Sequence, residues 1–173
     1  MSDPAWGLTR FYHTVVNCRD LDASIAFYRQ LGFEILNDRR DVEWPGFVAG
    51  IFGLTHAQGR GVLMVLPQDP DGPMLDLIQW LEPASEFPDP ARVAQTVPRI
   101  IAFRTRNVHL AYEALSKAGV TFTQPPYTPT EPLGLIGTAC CYDPNGNIIE
   151  LIELEAGVRH SRATEALRKR EAS

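Results

Sequence analysis

The sequence predicts an α+β fold: tandem βαβββ modules forming a paired, half-open curved sheet around a cavity. Two internal repeats point to it. Ile100–Thr121, IIAFRTRNVHLAYEALSKAGVT, aligns without a gap on His13–Glu34 at an offset of 87 (100 − 13). Arg19 then pairs with Arg106, Asp20 with Asn107 and Gly32 with Gly119. Further along, DPDGPMLDLIQ at Asp69–Gln79 matches DPNGNIIELIE at Asp143–Glu153 at an offset of 74 (143 − 69). The first half therefore carries 13 more residues (87 − 74) between its helix and its last strand. Two separate matches in the same order make coincidence a poor explanation.

Each element has a local cause. Arg10–Cys18 mixes aromatic and β-branched residues, which suit an extended strand. Asp20 supplies an N-cap, Leu21, Ile25, Tyr28 and Leu31 recur at helical spacing, and Gly32 ends the helix. Phe33–Asn37 reads as a short strand. The extra length lies in Asp38–Arg60, which lacks a clear period and suits a loop or short helix over a pocket mouth, or a dimer contact. Gly61–Leu66 and Met74–Trp80 are the next strands, joined across a turn. Module boundaries follow: a first module at 1–81 with its insertion at about 38–60, a linker at 82–99 containing four prolines, a second module at 100–155, and a basic helical tail at 156–173. The second module repeats the pattern, with a helix at Val108–Ala118 and strands near Val120, Ile136 and Ile148.

Composition excludes several classes. The 173 residues, 45% of them apolar, can bury a core as one domain or two small fused modules. A formal charge of −5 argues against a nucleic-acid surface. No apolar run approaches the roughly 18 residues that span a bilayer, and the N-terminus lacks a secretory signal, so a cytoplasmic protein is expected. The three cysteines, Cys18, Cys140 and Cys141, offer neither a disulfide framework nor zinc spacing and read as small buried residues.

Strand alternation selects the candidate site. His13, Val15 and Asn17 share one face of the first strand; Met74, Asp76 and Ile78 share one face of the last strand of the first half, as do Ile148, Glu150 and Ile152 in the second. Ionisable groups among apolar neighbours are costly to bury unpaired, and a cation between His13, Asp76 and Glu150 would satisfy them. Arg104 shares parity with Ile100 and is placed to hold an anionic substrate group, or else ends its strand in solvent. Tyr127 and Trp44 are candidate pocket walls, and Asn17 a substrate contact. His56 in the insertion reads as a surface loop residue with a pocket-facing alternative. Glu153, Glu155, His109 and His160 read as solvated or exposed.

The residues HTVVNCRDLDASIAFYRQLGF, IAFRTRNVHLAYEALSKAGV and YDPNGNIIELIE together resemble the vicinal oxygen chelate superfamily, the glyoxalase/bleomycin-resistance/extradiol-dioxygenase group, over about residues 10–155. The resemblance implies a divalent metal held by one residue from the first and one from the last strand of each module. By position these are His13, Asp76, Ile100 and Glu150. Asp76 stands where Glu is commoner, and Ile100 cannot ligate. The resemblance further implies a small-molecule substrate and a homodimer.

Three functions follow as expectations. The first is a glyoxalase-like, metal-dependent lyase or isomerase that chelates vicinal oxygens and stabilises an enolate-like intermediate, with Glu150 as the proton-shuttling catalytic carboxylate. The alternative, favoured by Ile100, is a metal-free protein that binds or sequesters a small molecule. It should leave Asp76 and Glu150 hydrogen-bonded to Arg or Tyr. The third is a ring-cleaving extradiol dioxygenase, ranked last because no histidine lies on a strand of the second half.

Overall fold

The computed structural model describes residues 11–87, 99–130 and 134–156. The lead-in at 1–9, residues 88–98 of the linker and the tail beyond 156, with His160, lie outside the described residues. Two compact units emerge. The first takes the described residues up to 87 together with Asp143–Gly146; the second takes 99–130, 134–142 and 147–156. No described helix is long and apolar enough to cross a membrane.

In the first unit the chain runs β1 (His13–Asn17), α1 (Leu21–Gln30), β2 (Glu34–Asp38), α2 (Phe47–Ile51), β3 (Gln58–Val65) and β4 (Met74–Glu82). Its open four-stranded sheet has the order β1-β4-β3-β2, with β1 parallel to β4 and the other pairs antiparallel. The second unit runs β5 (Ile100–Arg104), α3 (Val108–Lys117), β6 (Leu135–Tyr142) and β7 (Ile148–Leu154). Its open sheet has the order β5-β7-β6, with β5 parallel to β7. This is the α+β architecture that the repeats predict, one sheet per half.

The capping chemistry repeats with the sequence. Asp20 accepts from the Ala23 N–H at 3.0 Å, and Asn107 accepts from the Leu110 N–H at 2.8 Å. Gly32 and Gly119 close the helices with φ of +93° and +90°, a left-handed conformation that glycine enters without a Cβ penalty. A further cap comes from the sheet. Gln79 Oε1 accepts from the Leu21 N–H at 3.3 Å, and its repeat partner Glu153 accepts from the Val108 N–H at 2.8 Å. Glu153, expected to be solvated, is thus half-buried and satisfies a first-turn donor of α3.

Alternation sorts the strands of the first sheet into two faces. Val16, Val62, Met64, Leu75 and Leu77 are buried on one of them, where α1 contributes Leu21, Ile25 and Tyr28. Each such large apolar side chain contributes about 1.5–3 kcal/mol by leaving water. In the second unit Val108, Leu115, Ala139, Cys141, Ile149 and Leu151 form the core. The strand expected near Val120 is reduced to an isolated bridge, Phe122 to Cys141, with the Thr123 N–H donating to Cys140 O at 2.8 Å. Pro125 and Pro126 follow at once and have no amide to extend the pairing. The first-half insertion also ends sooner than expected, since β3 begins at Gln58.

The turn Asp143–Gly146, although it belongs to the second sequence repeat, is part of the first unit. The Tyr28 hydroxyl donates to Asp143 Oδ2 at 3.0 Å, Asn145 Nδ2 donates to Ser24 Oγ at 3.0 Å, and the Arg19 N–H donates to Asn145 Oδ1 at 2.8 Å. Asp143, Asn145, Tyr28 and Ser24 are all buried. Hydrogen bonds to carboxylates in such surroundings contribute about 1.5–3 kcal/mol. Tyr28→Phe should therefore lower the free energy of urea unfolding by about 1.5–3 kcal/mol while leaving the circular dichroism spectrum intact; a change below about 0.5 kcal/mol would show that the carboxylate is satisfied without the hydroxyl.

Candidate ligand-binding site

The face of the first sheet turned away from α1 carries His13, Val15 and Asn17 on β1. Beside them stand Met74, Asp76, Ile78 and Trp80 on β4, and Leu63, Gly61 and Gly59 on β3. The register sets these neighbours: His13 lies opposite Met74, Val15 opposite Asp76, Gly61 opposite Ile78 and Gly59 opposite Trp80. Two glycines two residues apart lower the floor of this face. A Cβ at Gly59 would lie 2.6 Å from the six-membered ring of Trp44, so Trp44 rests where a side chain would stand. A Cβ at Gly61 would lie 3.7 Å from Arg39 Nη2. The insertion thus lays an indole over one glycine and a guanidinium over the next.

The indole joins an aromatic cluster. Trp44 and Trp80 meet edge to face with centroids 5.0 Å apart, and Phe52 meets Trp80 in the same manner at 5.7 Å. Trp80 Nε1 donates to Asn17 Oδ1 at 3.0 Å. Gln58 fixes the backbone of Trp44, accepting its N–H at 3.3 Å and donating to its carbonyl at 3.4 Å. Trp44, named from sequence as a pocket wall, and Asn17, named as a substrate contact, therefore stand in one aromatic and polar group within this unit. Asn17 spends its carbonyl oxygen on an indole.

Asp76 is buried, and Arg39 Nη2 donates to its Oδ1 in a short ion pair. Burial pushes the Asp76 carboxyl above the ordinary aspartate range, against the opposing pull of Arg39 and of His13. His13 is half-buried, stacks edge to face on Tyr12 with centroids 5.2 Å apart, and leaves Nδ1 buried without a hydrogen-bond partner. Arg39 Nε is likewise buried and unpartnered. Two nitrogens without partners and one carboxylate that has a cation occupy the face where metal ligands were expected.

Glu150 belongs to the second unit. It is half-buried, lies opposite Cys140 on β6 and Ala102 on β5, and accepts from Thr138 Oγ1 at 3.2 Å. Ile100 stands exposed on β5. Tyr127 pairs its backbone with Thr138 at 2.9 and 3.0 Å, and its side chain is exposed. Arg104 is exposed, and its guanidinium donates toward the carbonyls of Leu154 and Glu155 at 3.5 and 3.4 Å. These contacts tie Arg104 to the end of β7. Among the described residues, neither unit gathers three or more His, Cys, Asp or Glu side chains able to hold a metal ion.

Other candidates fall outside this face. His56 Nε2 lies 2.8 Å from Glu82 Oε2, both exposed, as a surface loop histidine would. His109 is exposed beside Thr128 at 3.4 Å. Burial pushes the Cys18 thiol up to about 11, and burial followed by the Glu150 charge raises Cys140. Arg39 is the residue that sequence reasoning passed over. It lies in an aperiodic insertion without a counterpart in the second half, and its only signal is a cation within a segment that also supplies Trp44.

Comparison with known proteins places this geometry. The profile of the Glyoxalase/Bleomycin resistance protein/Dioxygenase superfamily matches residues 10–151. A search of curated proteins found no match. Among solved structures, a glyoxalase family protein from Bacillus cereus superposes with a TM-score of 0.69 at 17% identity, covering 90% of this chain and 100% of that one. An antibiotic binding protein from Streptomyces sp. CB03234 gives 0.57 at 22% identity, covering 86% and 98%. A glyoxalase I mutant from Zea mays gives 0.60 at 18% identity, covering 83% of this chain and 44% of that one. At these identities the likeness shows the fold.

The balance at Asp76 has a definite pH signature. A carboxyl raised by folding contributes stability that is complete below the ordinary aspartate pKa and is lost as pH rises through the folded value. The stability difference between the wild type and Asp76→Asn, measured by urea unfolding, should therefore fall as pH rises upward from the ordinary aspartate pKa. A difference that grows with pH over that window would show that the Arg39 pairing outweighs burial.

Proposed function

The chain belongs to the Glyoxalase/Bleomycin resistance protein/Dioxygenase superfamily, and from that premise we propose that it binds and sequesters a small organic molecule without a resident metal ion. The observation that carries this reading is the Arg39–Asp76 pair. A carboxylate whose charge is already met by a guanidinium is a poor ligand for a dication, because the incoming ion must displace Arg39 and then sit beside it. Ile100 brings no donor, and Glu150 is engaged by the Thr138 hydroxyl. This donor set fits a divalent ion poorly. The aromatic cluster next to Arg39 fits an organic ligand well, since ring faces bury large areas with few rotatable bonds. The Streptomyces neighbour is an antibiotic binding protein, which is consistent with such a role.

A second reading keeps one specific support. His13 Nδ1 is buried and unpartnered on the same face as Asp76, which is what a ligand or a proton-transferring imidazole would look like before its partner arrives. Under that reading the chain is a glyoxalase-type lyase or isomerase, with His13, Asp76 and Glu150 as ligands and Glu150 moving the proton. Nothing on either sheet singles out ring cleavage. Homodimer formation accompanies both readings as an expectation of the resemblance, and a cytoplasmic location as an expectation of the sequence composition.

Elemental analysis of the purified chain, followed by calorimetric titration with Zn²⁺ and Ni²⁺, separates the two. The expected result is far less than one metal ion per chain and no saturable uptake by the wild type, with Arg39→Ala gaining uptake as Asp76 loses its partner. One tightly held ion per wild-type chain, together with substrate proton exchange lost in Glu150→Gln, would overturn the proposal in favour of the lyase.

A further inference from the structure

We propose that the glycine-floored face of the first sheet is a subsite for a planar aromatic compound carrying a neutral carbonyl oxygen. The ring lies against Trp44 and Trp80, and the oxygen accepts from the Arg39 guanidinium. This deepens the metal-free binding reading and rests on it.

Spacing defines the shape of the ligand. Gly59 and Gly61 are alternate residues of β3, so the two positions that the indole and the guanidinium cover are about 6–7 Å apart, twice the rise of a strand residue. That is the width of a fused ring, and a ligand that spans both must hold its ring and its oxygen in one rigid plane. Wall chemistry defines the ring. Trp80 has already given its indole N–H to Asn17, so its part of the wall offers π surface and no donor.

Charge defines the oxygen. Arg39 places one Nη2–H on Asp76, and although its Nε is buried, its side chain as a whole is 39% exposed. The guanidinium therefore keeps donors to give. Asp76 cancels its positive charge, so a ligand carboxylate would approach a neutral pair and meet the Asp76 charge nearby, whereas a ketone oxygen accepts the same hydrogen bond without that repulsion. His13 Nδ1, also lacking a partner, lies on the same face as Asp76 and adds no fixed charge when neutral.

The test uses 9-fluorenone, fluorene and fluorene-9-carboxylate as probes of the whole chain, by calorimetry with dimethyl sulfoxide as carrier. Fluorenone should bind about tenfold or more tightly than fluorene, the range expected for one hydrogen bond from a charged donor, and more tightly than the carboxylate. The double variant Arg39→Met/Asp76→Leu replaces both members of the pair by apolar groups, which avoids stranding a buried charge. It should bind fluorenone and fluorene within about twofold of each other, that hydrogen bond being absent. Trp44→Leu should weaken all three probes alike. Equal binding of fluorenone and fluorene by the wild type, preference for the carboxylate, absence of any binding, or a ketone preference that survives in the double variant would each overturn the subsite. Fluorenone binding abolished by EDTA and restored by Zn²⁺ would instead overturn the metal-free reading beneath it.

Discussion

A carboxylate in the middle of an apolar strand sets the terms for the first unit. Asp76 stands between Leu75 and Leu77 on β4, both buried, and the side chain itself is buried. An isolated charge in such a place would cost several kcal/mol or would give up its ionisation. The chain supplies a cation from the root of its insertion, and the surrounding construction holds that cation in place. The Arg39 N–H donates to the Gly61 carbonyl at 2.9 Å, which extends the β2–β3 pairing by one residue and delivers the side chain over Gly61. The next residue, Arg40, turns to Asp38 at 2.6 Å and to Asp22 of α1 at 3.1 Å. Successive arginines thus tie the root of the insertion to three carboxylates, Asp76, Asp38 and Asp22. Although exposed pairs such as those of Arg40 add little stability alone, together they restrict where Arg39 can reach.

The two halves solve the same problem at different strengths. Asp76 and Glu150 occupy matching places on the last strand of their sheets, and both receive a donor from within their own unit. The buried carboxylate receives a guanidinium. Glu150, which is only half-buried, receives a hydroxyl from Thr138 across β6. A more deeply desolvated charge needs fuller compensation, and the donor types follow that order. The matching first-strand positions differ as well, with a half-buried His13 in one half and an exposed Ile100 in the other.

Much of the architecture was legible because the evidence for it is periodic or repeated. The caps Asp20 and Asn107, the helix-ending glycines and the Asp-Pro-x-Gly turns carry their physics locally, so the repeat alone locates both helices and the strands on either side. The features that escaped depend on tertiary neighbours. Glu153 looks like a solvated strand-end carboxylate until α3 brings the Val108 amide to it, although its alignment with Gln79 holds the clue, since both cap the helix of their own half. The assignment of Asp143–Gly146 to the first unit could not be read from a turn motif that Asp69–Gly72 shares. Arg39 escaped for a related reason: no repeat partner, no period and no motif surround it.

The role of the glycines shows why the insertion matters more than its irregular sequence suggests. A side chain at 59 would meet the Trp44 ring at 2.6 Å and displace it, whereas a Cβ at 61 would press on the Leu77 carbonyl at 3.0 Å and make ordinary contact with Arg39 at 3.7 Å. Tolerating two glycines in one strand weakens that strand, by backbone entropy and lost packing, so the sheet gives up local stability for depth. What fills the depth comes from a segment absent in the other half. The same βαβββ plan can therefore keep its helix caps and core while one face of the first sheet takes an aromatic and guanidinium surface from the insertion. The repeat is the frame, and the extra residues of the first half are what set that face apart from its counterpart.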